Sequence, residues 1–105
     1  MLVLLVACVA QEDTRAQYGL PDGDAAAGAA IYAASCETCH GPDGTQGTQV
    51  GGVPATSLPD IVPDLDQDRL YEIISEGSGE MPPVGLEKQD AADCIAYLFD
   101  HFGGG

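Results

Sequence analysis

The chain has 105 residues, and seventeen acidic residues against three basic ones give it a formal net charge of -14. That is one small domain, and its sign excludes nucleic-acid binding through phosphate contacts and a polybasic membrane patch, both of which need Lys and Arg. The apolar share leans on alanine, with no Trp, four Tyr and two Phe, so a core built from protein alone is marginal and calls for a further group to fill it.

Residues 1–7, Met-Leu-Val-Leu-Leu-Val-Ala, are wholly apolar but fall far short of the roughly twenty residues that cross a bilayer. They resemble the hydrophobic part of a secretory signal, although no Lys or Arg precedes them. With Cys8 next, Leu5-Val6-Ala7-Cys8 resembles the bacterial lipoprotein box. Small residues there admit the signal peptidase, and the thiol accepts the lipid. The expectation is a signal-like segment over 1–7 and a lipid on Cys8, with a simple cleaved signal as the alternative. Residues 9–23 are polar, acidic and punctuated by Gly and Pro, with no helical or strand period. Together with Cys8 they read as a flexible tether over 8–23, about 20 Å long as a coil. The folded domain then occupies 24–105.

Asp24 followed by Ala25-Ala26-Ala27-Gly28-Ala29-Ala30-Ile31-Tyr32 predicts an N-capped helix. Next comes Cys36-Glu37-Thr38-Cys39-His40. Two thiols separated by two residues and followed at once by histidine form the attachment motif of c-type haem. The spacing lets one turn of backbone present both sulfurs to one porphyrin edge for thioether formation, and His40 then reaches the iron as a ligand. A thioredoxin-like thiol pair would need a βαβ context that this chain does not offer. A structural zinc site would need four ligands at finger spacing, and the spare candidates, Cys8, Cys94 and His101, are scattered. A plain disulfide would leave His40 unexplained.

Gly41–Pro63 has no sustained period and predicts a loop. Asp64–Gly77 predicts a helix capped by Asp64 or Asp66 and stopped by Gly77, with Leu70, Ile73 and Ile74 on its buried face. Leu86 to about His101 predicts a further helix, with Ala91, Cys94, Ile95 and Leu98 as an apolar stripe. Cys94 reads as a small, inert thiol inside that interface, a bridge to Cys8 being the lesser alternative. His101 reads as an exposed residue at a helix C-terminus rather than an iron ligand.

Taken together, residues 24–102 resemble a class I cytochrome c of the short bacterial mono-haem type. The resemblance implies an all-α cytochrome c fold, with three main helices and long loops around one covalently bound haem c. It implies Met81, in Gly79-Glu80-Met81-Pro82-Pro83, as the second axial ligand opposite His40, with the two prolines stiffening its loop. It implies a proline carbonyl as acceptor for the other ring nitrogen of His40, with Pro54 the best match and Pro59 the fallback. It also implies a close crossing of the first and last helices at Gly28, with Tyr32 and Tyr97 packed there. Function follows as single-electron transfer without catalysis, on the periplasmic side of a bacterial membrane, lipid-anchored or else soluble. The partners are redox proteins, a reductase and an oxidase, for which the acidic charge offers docking to basic surfaces; a salt-adapted surface is the other explanation of that charge. The competing functions are a haem-based gas sensor or peroxidase-like module, which requires Met81 to leave the iron, and a thiol oxidoreductase using Cys36 and Cys39 without haem.

Overall fold

Helix formation begins where the sequence offers a cap. In the computed structural model, which describes residues 18–103, Asp24 is extended and its carboxylate accepts the Ala26 N–H at 2.9 Å. That satisfies one of the orphan donors of the first turn, and the alanine run Ala25–Ser35 continues as α1. The apolar residues 1–7 and Cys8 lie outside the described residues. A break at Cys36 is followed by the single turn α2, Glu37–His40, so the whole Cys-x-x-Cys-His motif sits on a helical corner.

The segment 41–63 departs from the expected plain loop. Gln49–Val50 and Val53–Pro54 form strands β1 and β2, antiparallel, with Val50 opposite Val53 and Gln49 opposite Pro54. The two turn residues are Gly51 and Gly52, with φ of 60° and 81°. Positive φ at both positions matches the twist of a tight hairpin, and only glycine takes it without strain. Next come the short helix α3, Leu58–Ile61, and a 3-10 turn, Val62–Asp64. Thus the molecule is mostly helical, as expected, with one small hairpin added.

α4 spans Gln67–Glu76. Of its two candidate caps, Asp66 serves, accepting the Arg69 N–H at 2.8 Å. Leu70 and Ile74 are buried, and Ile73 is half-buried. α5 spans Lys88–Phe102 and starts two residues later than the pattern suggested, with Glu87 at its N-cap.

The core is the crossing of α1 and α5. A Cβ on Gly28 would overlap the Asp93 carbonyl and crowd Tyr97, so the two backbones touch at this point. Tyr32 and Tyr97 pack alongside with tilted rings, centroids 5.2 Å apart. Tyr32, Val62, Leu70, Ile74, Cys94, Ile95 and Leu98 form one buried cluster. Asp93 is 7% exposed, which a carboxylate tolerates only when its oxygens are used. It accepts the Asp24 backbone N–H and the Gln89 Nε2–H, both at 2.9 Å. That side chain ties the start of α1 to α5, and nothing in the sequence pattern singled it out.

Residues 18–23, expected as the last part of a free tether, instead lie against the domain. The Tyr18 hydroxyl donates to Glu72, and its ring stands 5.1 Å from that of Tyr71. Lys88 Nζ donates to the Tyr18 carbonyl at 2.7 Å, and Gln89 Nε2 to that of Asp22 at 3.1 Å. Leu20 packs on the core cluster. These contacts form a strap across α4 and α5. The bond to Glu72, followed by burial, pushes the Tyr18 phenol up to about 12. The same bond, helped by Arg69, holds the Glu72 carboxyl below its usual range.

Candidate functional site

The α2 corner, the hairpin, α3, α4 and the loop after α4 enclose a mostly apolar cavity of about 400 Å³. That is within the roughly 300–1,000 Å³ range of small-molecule and cofactor sites. Cys36, Cys39 and His40 line it from the α2 corner, Val50, Val53 and Pro54 from the hairpin, and Leu70, Ile73 and Ile74 from α4. Met81 lines it from the loop between α4 and α5. Residues more than forty positions apart in sequence, His40 and Met81, therefore share one cavity.

His40 Nδ1 lies 3.1 Å from the Thr56 carbonyl. A carbonyl can only accept, so Nδ1 carries the proton and the Nε2 lone pair is left for a ligand. Such an outer bond fixes the ring and raises its basicity toward a metal. The acceptor is thus Thr56 and neither Pro54 nor Pro59. Pro54 instead forms the end of β2 and part of the cavity wall. A backbone carbonyl has no side-chain signature, and the hairpin decides which one faces the ring. Burial holds the His40 imidazole below the ordinary histidine range, with the Thr56 bond acting the other way.

Met81 is set by a tight turn. Ser78 N–H donates to the Met81 carbonyl at 3.0 Å, and Met81 N–H to the Ser78 carbonyl at 2.9 Å. Gly77, with φ of 81°, turns the chain out of α4 beneath it; a Cβ there would stand 2.5 Å from the Met81 carbonyl oxygen. The Val84 N–H then returns to the Ile74 carbonyl at 2.7 Å, closing the loop onto α4. Pro82 and Pro83 are exposed, and Pro82 also contributes to the cavity lining.

Above the cavity floor, the Tyr32 hydroxyl donates to the Gly41 carbonyl at 2.5 Å, pinning the end of the α2 corner to α1. Burial raises the Tyr32 phenol well above its usual range. Cys94 is fully buried, as expected of an interface residue, but it also meets Cys36. The neighbouring Cys36 thiol, and after it burial, pushes Cys94 up, while Cys94 pulls Cys36 down from the usual thiol range. His101 is exposed and stacks on Tyr97, centroids 5.0 Å apart, away from the cavity lining. Among the described residues, no cluster of three or more His, Cys, Asp or Glu could hold a bare metal ion. The donor set fits a metal that brings its own equatorial ligands: one imidazole, one thioether and two thiols around an apolar slot.

The fold and this cavity are those of a c-type cytochrome. Residues 23–98 match the family described as cytochrome c oxidase, cbb3-type, subunit III, and the chain belongs to that family. It is 30% identical over 99 residues to cytochrome c-551 of Bacillus subtilis (strain 168), covering 91% of this chain and 83% of the relative. It is 28% identical over 102 residues to a cytochrome c of Ulva intestinalis, covering 76% of this chain and 92% of the relative. In fold it is similar to a chain in the crystal structure of the sulfane dehydrogenase SoxCD from Paracoccus pantotrophus. There the TM-score is 0.55 and the identity 22%, over 82% of this chain and 48% of that one. The cofactor is accordingly covalently bound haem c, and the function is haem-based electron transfer to and from redox partners.

Proposed function

We propose that this protein is a single-electron carrier in which Cys36 and Cys39 hold haem as thioethers and His40 and Met81 are its axial ligands. The observation that carries the reading is that His40, with Nδ1 engaged by Thr56, and Met81, set on its turn, line the same apolar cavity. When bound, haem iron supplies a one-electron couple, and a thioether ligand raises its potential relative to two histidines. The side chains of this protein orient the imidazole, keep the wall dry and hold the thioether in place, so that neither oxidation state demands a rearrangement. With His40 and Met81 both ligating the iron, no position would be left for a substrate, and the protein would carry electrons without being itself an enzyme. Its working place is the periplasmic side of a bacterial membrane, with Cys8 lipidated. Among the described residues no helix is long and apolar enough to cross a membrane. Its acidic surface suits partners with basic docking faces.

The visible spectrum of the purified protein tests the reading. Oxidised protein should show the weak charge-transfer band near the red limit that sulfur donation to iron produces, and reduced protein should bind carbon monoxide slowly. Rapid carbon monoxide binding with no such band would replace the carrier by a sensor or peroxidase-like module. Absence of a haem spectrum in protein made with a haem-attachment system would favour thiol chemistry at Cys36 and Cys39.

A further inference from the structure

The segment between the α2 corner and the hairpin carries a side chain that the sequence pattern does not single out. Gln46 lies beside the corner, and Gly41 leaves room for it: a Cβ on Gly41 would stand 2.8 Å from Gln46 Cβ. The Gln46 backbone N–H donates to the His40 carbonyl at 2.9 Å. Its side-chain Nε2 donates to the Thr38 carbonyl at 3.1 Å and to Thr48 Oγ1 at 2.7 Å. A carbonyl only accepts, so the amide nitrogen, with its two hydrogens, is the end that serves both. Thr38 is a spacer residue of the Cys-x-x-Cys-His motif. One amide thus joins that spacer to the chain entering the hairpin.

From Thr48 the connection runs back to His40. The Thr48 N–H donates to the Cys39 carbonyl at 3.3 Å, and the Thr48 carbonyl accepts the Ala55 N–H at 2.9 Å. That second bond extends the ladder in which Gln49 stands opposite Pro54. Ala55 is followed at once by Thr56, whose carbonyl meets His40 Nδ1 at 3.1 Å. The circuit closes: α2 carries His40, Gln46 ties α2 to Thr48, Thr48 holds Ala55, and Thr56 returns to the His40 ring. The backbone bond from Thr48 to α2 is long at 3.3 Å, so the placing of Thr48 leans on the Gln46 amide.

We propose that Gln46 is a positioning residue for the iron ligand: its side-chain amide keeps the Thr56 carbonyl in line with the His40 Nδ1–H and through that bond sets the donor strength of the imidazole. This role rests on ligation of the iron by His40, as proposed above. Bonded to a carbonyl, the ring is a more basic ligand, and a more basic ligand favours the oxidised iron. Without the amide the hairpin shifts more freely against α2, the Nδ1–H bond opens more often and the imidazole donates less.

The test compares haem-bearing wild type with Gln46→Leu, which is neutral, close in size and has no donor. Gln46 is exposed, so the fold tolerates the change. One readout is exchange of the His40 Nδ1 proton with solvent, followed by NMR of reduced, isotope-labelled protein; the other is the reduction potential from a redox titration. In Gln46→Leu the proton should exchange roughly threefold to tenfold faster, the opening that a hydrogen bond or two of ordinary strength restrains, and the potential should rise. Thr48→Val keeps the side-chain shape, removes the Oγ1 acceptor and should shift both readouts in the same direction by less. Tyr18→Phe, which loosens the strap, should lower the denaturation midpoint and leave both readouts at their wild-type values, as a merely structural effect does. Unchanged exchange and potential in Gln46→Leu overturn the proposal, as does a fall in potential. Those results leave ligation by His40 standing, because wild type alone reports on it. A wild type whose His40 ring gives no signal of an iron-bound imidazole overturns the ligation reading, and this role with it.

Discussion

Met81 and His40 reach the same cavity by different kinds of constraint. His40 is held through a ring bond to the Thr56 carbonyl and by burial, whereas Met81 is held through its own backbone, paired with Ser78 across the Gly79-Glu80 turn. Removing the thioether therefore leaves the loop standing. Met81→Ala should keep the fold and the haem, lose the red-edge band, lower the potential and bind cyanide or carbon monoxide quickly; titration with either ligand and a redox titration check this. The direction follows from the soft donor, which favours the reduced iron. Cys36→Ala and Cys39→Ala should each lose most of the haem-bearing product, read as haem staining on a denaturing gel, since each thiol supplies one of two covalent links. These residues were legible from sequence because their chemistry is written in side-chain type: two thiols and an imidazole on adjacent turns, and a single internal methionine. Thr56 was not, because its contribution is a carbonyl that every residue has, and Asp93 was not, because a buried carboxylate looks like any other acid until its donors are placed around it.

Among the elements, α1 and α5 depend on one absent Cβ. Gly28→Ala brings together two opposed effects. Helix propensity gains about 1 kcal/mol, but the new methyl meets the Asp93 carbonyl and Tyr97 Cβ on a partner helix that cannot yield without moving. Overpacking of that kind costs about 1–3 kcal/mol, more where backbone has to shift, so the net effect should be destabilising, seen as a lower denaturation midpoint of the haem-bearing protein. The strap makes a second prediction. Glu72 is depressed by the Tyr18 hydroxyl and Arg69. What it contributes is therefore present above the unfolded carboxylate value and lost as pH falls through its folded value. Tyr18 is raised to about 12, so its contribution is present below the ordinary phenol value near 10 and lost as pH rises through about 12. The denaturation midpoint should lose the strap's contribution at both extremes, and Tyr18→Phe should flatten both limbs. The main helices were readable because caps and apolar periods are local. The strap was not, because a free tether and a docked strap share the same polar, Gly/Pro-bearing composition. The hairpin did carry a sign, the Gly51-Gly52 pair between two valines, which the surrounding threonines, prolines and glycines obscured.

For the whole molecule, the buried cluster and the cavity share their wall: Tyr32, Val62, Leu70, Ile74 and Leu98 belong to both. Without haem, α4 and the Met81 loop face that space, while the α1–α5 crossing keeps its own contacts. Haem-free protein should therefore retain part of its helical signal but lose the sharp thermal transition of the haem-bearing form; circular dichroism melts of the two compare them directly. A haem-free transition as cooperative as the loaded one would count against this division. The charge of -14 acts at the same scale. Among the described residues the two bases are already engaged, Arg69 with Glu72 and Lys88 with the Tyr18 carbonyl.

The strap also settles how a pull on the chain would be borne. Glu72, which receives Tyr18, points to the opposite side of α4 from Leu70, Ile73 and Ile74 in the cavity wall. Tension applied upstream of Tyr18 enters at the outer side of α4 and the start of α5, through Glu72, Lys88 and Gln89. It then runs into the helix crossing at Asp93 and Asp24. His40, the hairpin and the Met81 turn are off that line of force. A molecule tugged by its leading end would shed its strap first, with His40 and Met81 still in their places.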